Sequence, residues 1–237
     1  MKTSFTIITR ERVPYLIRCV ESIYDMASNH SDIEIVMVKD NDDGSFADFP
    51  IAKYPDIKLF SVERSHFFQR DYNNFAAAQT TGRVIWGLND DCEMGTKNWD
   101  QILSDKVQQI ESLQQDDIFY IGMNDGTHGP GTIHTHQPSC CFPIVSKAAC
   151  DAMEAFMPGE INMWGADIAL YNIFKQLKAN RIYSCPELSV IHKSAHSSVT
   201  TRDRDDGYWH VANISRCTSL TSQQHMSYVH KLERVMK

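Results

Sequence analysis

The chain has no apolar run approaching the length that spans a bilayer, so no membrane helix is expected. Basic charge is also scarce: 23 Lys and Arg stand against 30 Asp and Glu, a formal net charge of −7. The electrostatic footprint by which most duplex-binding proteins neutralise phosphates is therefore missing, although an acidic chain can still act on a nucleic acid. The seven cysteines are odd in number and lack CxxC spacing, and a chain of this size folds without staples. Reduced thiols and a cytoplasmic location are the expectation, with the adjacent Cys140 and Cys141 as buried structural residues. Glycine is absent where the common nucleotide folds need it, since the stretch TRERVPYL after the first apolar run contains none. There is no GxGxxG, no GxxxxGK[ST] and no GxSxG. These absences argue against a dinucleotide dehydrogenase, a P-loop ATPase and a serine hydrolase of the α/β type. A sugar nucleotidyltransferase, with its Gly-rich first loop, is disfavoured for the same reason.

What remains is a chain of 237 residues, 42% of them hydrophobic, enough for one large core or one core plus a small lobe. Residues 1–9 hold a short apolar stretch without a small-residue cleavage site, and read as a first strand rather than a signal peptide. Val13, Leu16, Ile17, Val20, Ile23, Tyr24 and Ala27 then recur at helical spacing, with Pro14 in the first turn. Strands are expected over residues 33–38, 57–62, 84–88 and 118–123, with helices at 73–80, closed by Gly82, and at 99–110. Further on, residues 141–145 read as a strand, 146–156 as a helix capped by Ser146, 167–177 as a helix and 188–191 as a last strand. Alternation of this kind implies right-handed βαβ crossovers and a mostly parallel sheet, with ligands beyond the carboxyl ends of the strands. Two acidic clusters lie at such ends.

The first, residues 40–44, is either a solvated turn or the place where Asp40 contacts a nucleobase or ribose. The second, Asn89-Asp90-Asp91-Cys92-Glu93, follows the strand VIWGL without a spacer. Adjacent carboxylates repel unless a cation compensates, and hard oxygen ligands suit Mg2+ or Mn2+ bridging to phosphates. The alternative is a turn whose acids complement the next helix dipole. Asp167, after Trp164-Gly165-Ala166, is either an ordinary first-turn acid or a carboxylate held to take a proton from a hydroxyl. His192 ends a strand, and becomes a metal ligand only if the fold carries it to Asp91. His128, His134 and His136 offer HxH spacing, but nothing completes a zinc quartet.

In order, the segments FTIITRERVPYLIRCVESI, IEIVMVKDNDDGS, NNFAAAQTTGRVIWGLNDDCEM, MWGADIALYNIF and VIHKS resemble family-2-type glycosyltransferases of the GT-A fold. The resemblance covers roughly the first 195 residues. It implies an α/β, Rossmann-like GT-A fold with a central, mostly parallel sheet flanked by helices. A nucleotide-binding half over about residues 1–95 and an acceptor half over about 96–195 follow, with residues 196–237 as an extension packing on or over the site. Thr9 and Arg10 would lie beside the nucleotide, Asp40 would contact the base, and Asp90 would face ribose or sugar. Asp91 and His192 would hold Mn2+ or Mg2+, and Asp167 would be the catalytic base. The acids read NDDCE, so Glu93 could share the role of Asp91.

The implied reaction is a direct, inverting displacement at the anomeric carbon of a nucleotide sugar, with a UDP-sugar adopted as donor. The acceptor hydroxyl belongs to a glycan, a lipid, a protein or a modified DNA base, and the residues do not choose among them. Arg202, Arg204, Tyr208 and Trp209 are interleaved with Asp203, Asp205 and Asp206, and so read as a solvated loop. Ala166 stands where many relatives carry a second acid, which favours one rival, a non-catalytic nucleotide- or glycan-binding module. A metal-dependent phosphoesterase is a weaker rival, because it needs a denser ligand set for two metals.

Overall fold

The first strand, β1 (Thr3–Thr9), is buried along nearly its whole length because it lies between two parallel neighbours. A strand covered on both faces reads as a continuous apolar and β-branched run, which is how TSFTIIT reads. The computed structural model describes residues 1–54, 56–65, 67–124, 140–159, 166–193 and 222–237. The histidines at 128, 134 and 136, Trp164, Gly165, and the Arg202 to Trp209 loop lie outside the described residues.

Among the described residues the remaining strands are β2 (Ile33–Asp40), β3 (Ile57–Val62), β4 (Val84–Asn89), β5 (Cys92–Met94), β6 (Tyr120–Asn124), β7 (Ile144–Ser146) and β8 (Ile182–His192). They form one sheet in the order β3-β2-β1-β4-β7-β6-β8-β5. β1 to β4 run parallel; β7 is antiparallel to both β4 and β6, and β8 is parallel to β6. β6 and β8 therefore point the same way as β1, and the carboxyl ends of β1, β2, β4 and β8 share one edge. This is a mostly parallel α/β sheet of the expected kind.

Among the described residues the α-helices are α1 (Val13–Asp25), α2 (Phe68–Ala78), α3 (Trp99–Leu113), α4 (Lys147–Met153), α5 (Ala166–Lys175) and α6 (Ser222–Glu233). α1 buries Val13, Leu16, Cys19, Val20 and Ile23, and Pro14 in its first turn stands in for a side-chain cap. Ser146 caps α4 as expected, accepting from the Ala149 amide. Period-2 alternation along β4 serves both faces: Val84, Trp86 and Leu88 join the cluster under α1 and α3, and Ile85 joins the one under α4, α5 and α6. At the centre of the first cluster Phe5 stacks on Trp86 at 5.3 Å and meets the edge of Trp99 at 5.0 Å. The Trp99 indole N–H donates to the Ile23 carbonyl at 2.9 Å, which fixes α3 to the end of α1.

Several element bounds differ from expectation, those of α2 and β8 most. α2 starts at Phe68, well before Asn73, and ends at Ala78. Gly82 does not close it; a Cβ there would sit 2.5 Å from Ser4 Oγ, so this glycine lets the start of β4 approach β1. β8 is longer than residues 188–191, and a bulge shifts its pairing with β6 from Met123↔Cys185 to Asn124↔Ser189. Every described cysteine is a free thiol. No helix among the described residues is long and apolar enough to cross a membrane.

Candidate active site

The turn from β1 into α1 carries the first functional side chains and some backbone strain. Glu11 has a φ of 53°, the left-handed region that costs a non-glycine residue energy. Its amide donates to Asp43 Oδ2 at 2.9 Å, and Asp43 also accepts from Ser45 N at 2.9 Å. The acidic turn after β2 thus clamps the turn after β1. Beside it, Arg10 donates to Asp40 and, at 2.7 Å, to Asp42 Oδ1. The Tyr72 hydroxyl of α2 donates to the other oxygen of the buried Asp40.

One strand over, Thr9 Oγ1 donates to Asp90 Oδ2 at 2.8 Å. Arg12 spans the two acids, with Nη1 3.0 Å from Asp90 Oδ1 and Nη2 2.6 Å from Asp91 Oδ2. The short β5 pairs antiparallel with β8 in the register Cys92↔His192, and the Lys193 amide donates to the Asp91 carbonyl at 3.0 Å. That register delivers His192, a hundred residues downstream, so that its Nε2 lies 3.1 Å from Asp91 Oδ1. Glu93, next along β5, is engaged by Arg18 at 3.6 Å and Lys193 at 3.2 Å.

Asp167 sits in the first turn of α5, half-buried, with its Oδ1 accepting from the Ile168 amide at 2.8 Å. Its carboxylate and the thiols of Cys140 and Cys141 lie within 4.8 Å of one another. The next residue, Phe142, has a φ of 54° and packs edge-on against His192, with ring centroids 5.5 Å apart. The 140–142 segment therefore touches Asp167 on one side and His192 on the other. Thr9 meets Asp90 and His192 meets Asp91, with Arg12 bridging the two acids; Arg10 and Asp40 pair with each other, and Asp167 adjoins through this segment.

Residues 4–148 match the sequence profile described as glycosyl transferase family 2. The chain belongs to this family. No curated protein matches the sequence significantly. Among solved structures, the family-2 chain resembles S. aureus TarS, with a TM-score of 0.60 and 17% identity over 84% of this chain and 38% of that one. TarS is thus much longer than this chain. TarS 1–349 in complex with UDP-GlcNAc matches with a TM-score of 0.60 and 15% identity, covering 98% of this chain and 72% of that one. The mannosyltransferase PcManGT from Pyrobaculum calidifontis, in complex with GDP-Man and Mn2+, gives 0.62 and 13%, covering 99% and 73%. At these identities the likeness is one of fold.

The electrostatics of this family-2 site centre on two buried carboxylates. Burial pushes Asp90 up to about 7, with the charge of Asp91 adding to the rise while Arg12 and Thr9 oppose it. Arg12 is held charged: burial works against it, but Asp90 and Asp91 outweigh that cost. Cys19 and Cys92 are buried close by, and burial and the same acids keep both thiols protonated.

The donor set fits a divalent cation. His192 Nε2 is buried, and among the described residues it has no hydrogen bond of normal geometry. It lies within ion-pairing distance of Asp91 without aligning as a donor to it. One carboxylate oxygen and one imidazole nitrogen 3.1 Å apart are donors that suit Mn2+, Mg2+ or Zn2+. Arg12 and Tyr72 were not singled out in the sequence, and Asp43 only as a member of the acidic turn at 40–44. The charge argument from adjacent acids pointed to a metal ion and not to Arg12.

Proposed function

We propose that this chain is a metal-dependent glycosyltransferase, moving a sugar from a nucleoside diphosphate, with a UDP-sugar as our working donor, to an acceptor hydroxyl with inversion. The observation that carries the reading is the convergence of Asp91 and His192, 3.1 Å apart, at the carboxyl edge of the sheet in a family-2 chain. Structures of similar fold holding UDP-GlcNAc, or GDP-Man with Mn2+, support the donor class.

In this reading Asp91 and His192 hold Mn2+ or Mg2+, and Asp40 and Arg10, aligned by Tyr72 and Asp42, receive the base. Thr9 orients Asp90 toward the ribose or sugar. The bound cation supplies charge stabilisation to the departing diphosphate. Asp167 takes the proton of the acceptor hydroxyl, and its place in the first turn of α5, on rigid helical backbone, suits that task. Residues up to about 95 form the donor half, and α4 and α5 with their approaches form the acceptor half. A second reading, a module that binds nucleotide or glycan without turnover, is favoured by Ala166, which fills a position where an acid would flank Asp167.

A thermal-shift screen with UDP, GDP and their sugars, each with and without Mn2+, tests this function. Metal-dependent stabilisation by one nucleotide is expected, and Asp91→Ala should abolish the metal dependence. Slow Mn2+-dependent hydrolysis of the matching nucleotide sugar selects the enzyme over the binding module. A nucleotide response identical with and without metal, and unchanged in Asp91→Ala, would remove the metal from the proposal.

A further inference from the structure

Two adjacent buried carboxylates need a positive charge whether or not a metal is present, and here the cation is Arg12. Its guanidinium bridges Asp90 and Asp91 at 3.0 and 2.6 Å, and Asp91 is the same carboxylate that faces His192. We propose that Arg12 is an exchangeable counter-ion: from Oδ2 of Asp91, the oxygen turned away from His192, it balances in the resting site the charge that the metal at Oδ1 would balance, and it moves to the diphosphate when metal and nucleotide bind. This inference rests on the assignment of Asp91 as a metal ligand and concerns what that metal must displace.

Three observations point to exchange rather than to a fixed structural pair. Arg12 lies in the turn between β1 and α1, directly after the strained Glu11, and not inside a regular element. Its side chain keeps 14% of its surface in solvent, while that of Asp91 keeps none. The guanidinium is at the rim and the carboxylate is fixed. The Arg12 guanidinium carbon also lies 5.0 Å from the Tyr15 ring centroid, a contact that does not depend on the carboxylates. When a divalent cation binds Asp91, like-charge repulsion drives the guanidinium outward. The nearest new anion is the diphosphate, which a planar guanidinium grips with two parallel hydrogen bonds. Metal and diphosphate would then bind cooperatively, because each completes the charge balance that the other disturbs.

The test measures two affinities in the full chain, that of Mn2+ alone and that of UDP at saturating Mn2+, in wild type, Arg12→Gln and Arg12→Lys. Arg12→Gln is expected to bind Mn2+ on the order of tenfold more tightly and UDP on the order of tenfold more weakly. Arg12→Lys, which keeps the charge but loses the fork, should stay near wild type for Mn2+ and lose part of the UDP affinity. Opposite signs are the signature, since general damage to the site weakens both ligands together. Weakening of both, or no change in either, would overturn the exchange. Failure of wild type and variants alike to bind Mn2+ would remove the metal assignment too, whereas equal Mn2+ binding in all three would overturn the role of Arg12 alone. Should Arg12→Gln fold poorly, Arg12→Lys decides: unchanged UDP affinity there would reject the transfer to the diphosphate.

Discussion

Replacing Asp167 by Asn leaves the shape of its side chain nearly unchanged and removes its capacity to accept a proton. If Asp167 is the base, Asp167→Asn should cut turnover by about a hundredfold or more while leaving UDP affinity in Mn2+ within about twofold. Steady-state kinetics with the cognate acceptor, together with a UDP binding isotherm, would check this. Near-wild-type turnover would move the base to another group. The two thiols beside this carboxylate give a second prediction. Cys141 is only partly buried, so a large thiol reagent attached there should block the acceptor side of Asp167. Turnover is expected to fall with labelling in wild type and to persist in Cys141→Ser, with UDP binding intact in both. Visibility in the sequence differed sharply among these residues. Asp90 and Asp91 stood out because they follow an apolar strand without a spacer. Arg12 did not, because an arginine in a polar turn follows no period and its partners lie some eighty positions away.

Between strands, the acid network at the amino end of the sheet is the best test of what holds the parallel strands in register. Glu34 at the start of β2 accepts from Ser4 of β1, from the Thr81 amide at 2.6 Å and hydroxyl at 2.9 Å, and from Lys58 of β3 at 2.8 Å. Burial pushes this carboxylate up, but the hydrogen bonds from Lys58, Ser4 and Thr81 prevail and hold it at about 2, against an ordinary 4.5. A depressed folded value stabilises the protein above the ordinary value, and that contribution is lost as pH falls from about 4.5 toward 2. Its size is on the order of 2 kcal/mol once screening of the half-exposed lysines is discounted. Wild type should therefore lose urea resistance more steeply between pH 5 and pH 3 than Glu34→Gln, which should be weaker at pH 7 and flatter throughout. Parallel slopes would mean that Glu34 does not carry the acid sensitivity. The strands joined by this network were legible because each is an apolar run bounded by turn residues. β5 was not, since three residues reading Cys-Glu-Met right after two aspartates look like the rest of a turn. Only its pairing with β8, about a hundred residues away, makes it a strand, and that pairing is what brings His192 to Asp91.

On the scale of the whole molecule, the two largest apolar clusters pack on opposite faces of the sheet, and the site draws on both. Of the residues proposed for the donor side, Thr9, Asp90, Asp91 and His192 lie against the cluster of β1, β4, α1 and α3, whereas Asp167 stands on α5, in the cluster shared with α4 and α6. α6 was invisible in the sequence because SQQHMSYVHKLE buries little beyond Val229 and Leu232, too few apolar positions to mark a face. Those two side chains nonetheless close the cluster over α4 and α5, and Lys231 adds a bond to Glu154 at 2.6 Å. Leu232 is fully buried, so Leu232→Ala should destabilise by about 2–5 kcal/mol, measured as a lower urea midpoint at unchanged slope. The separation of the clusters makes the functional consequence one-sided. Loosening α6 relaxes α5 and the carboxylate it carries, but it leaves the Asp91–His192 pair seated on β4, β5 and β8. UDP affinity in Mn2+ should hold within about twofold in Leu232→Ala while turnover falls, the reverse of the pattern expected for Asp91→Ala. Equal loss of binding and turnover would mean that the two clusters are mechanically one, and that the C-terminal helix supports the donor site as much as the acceptor side.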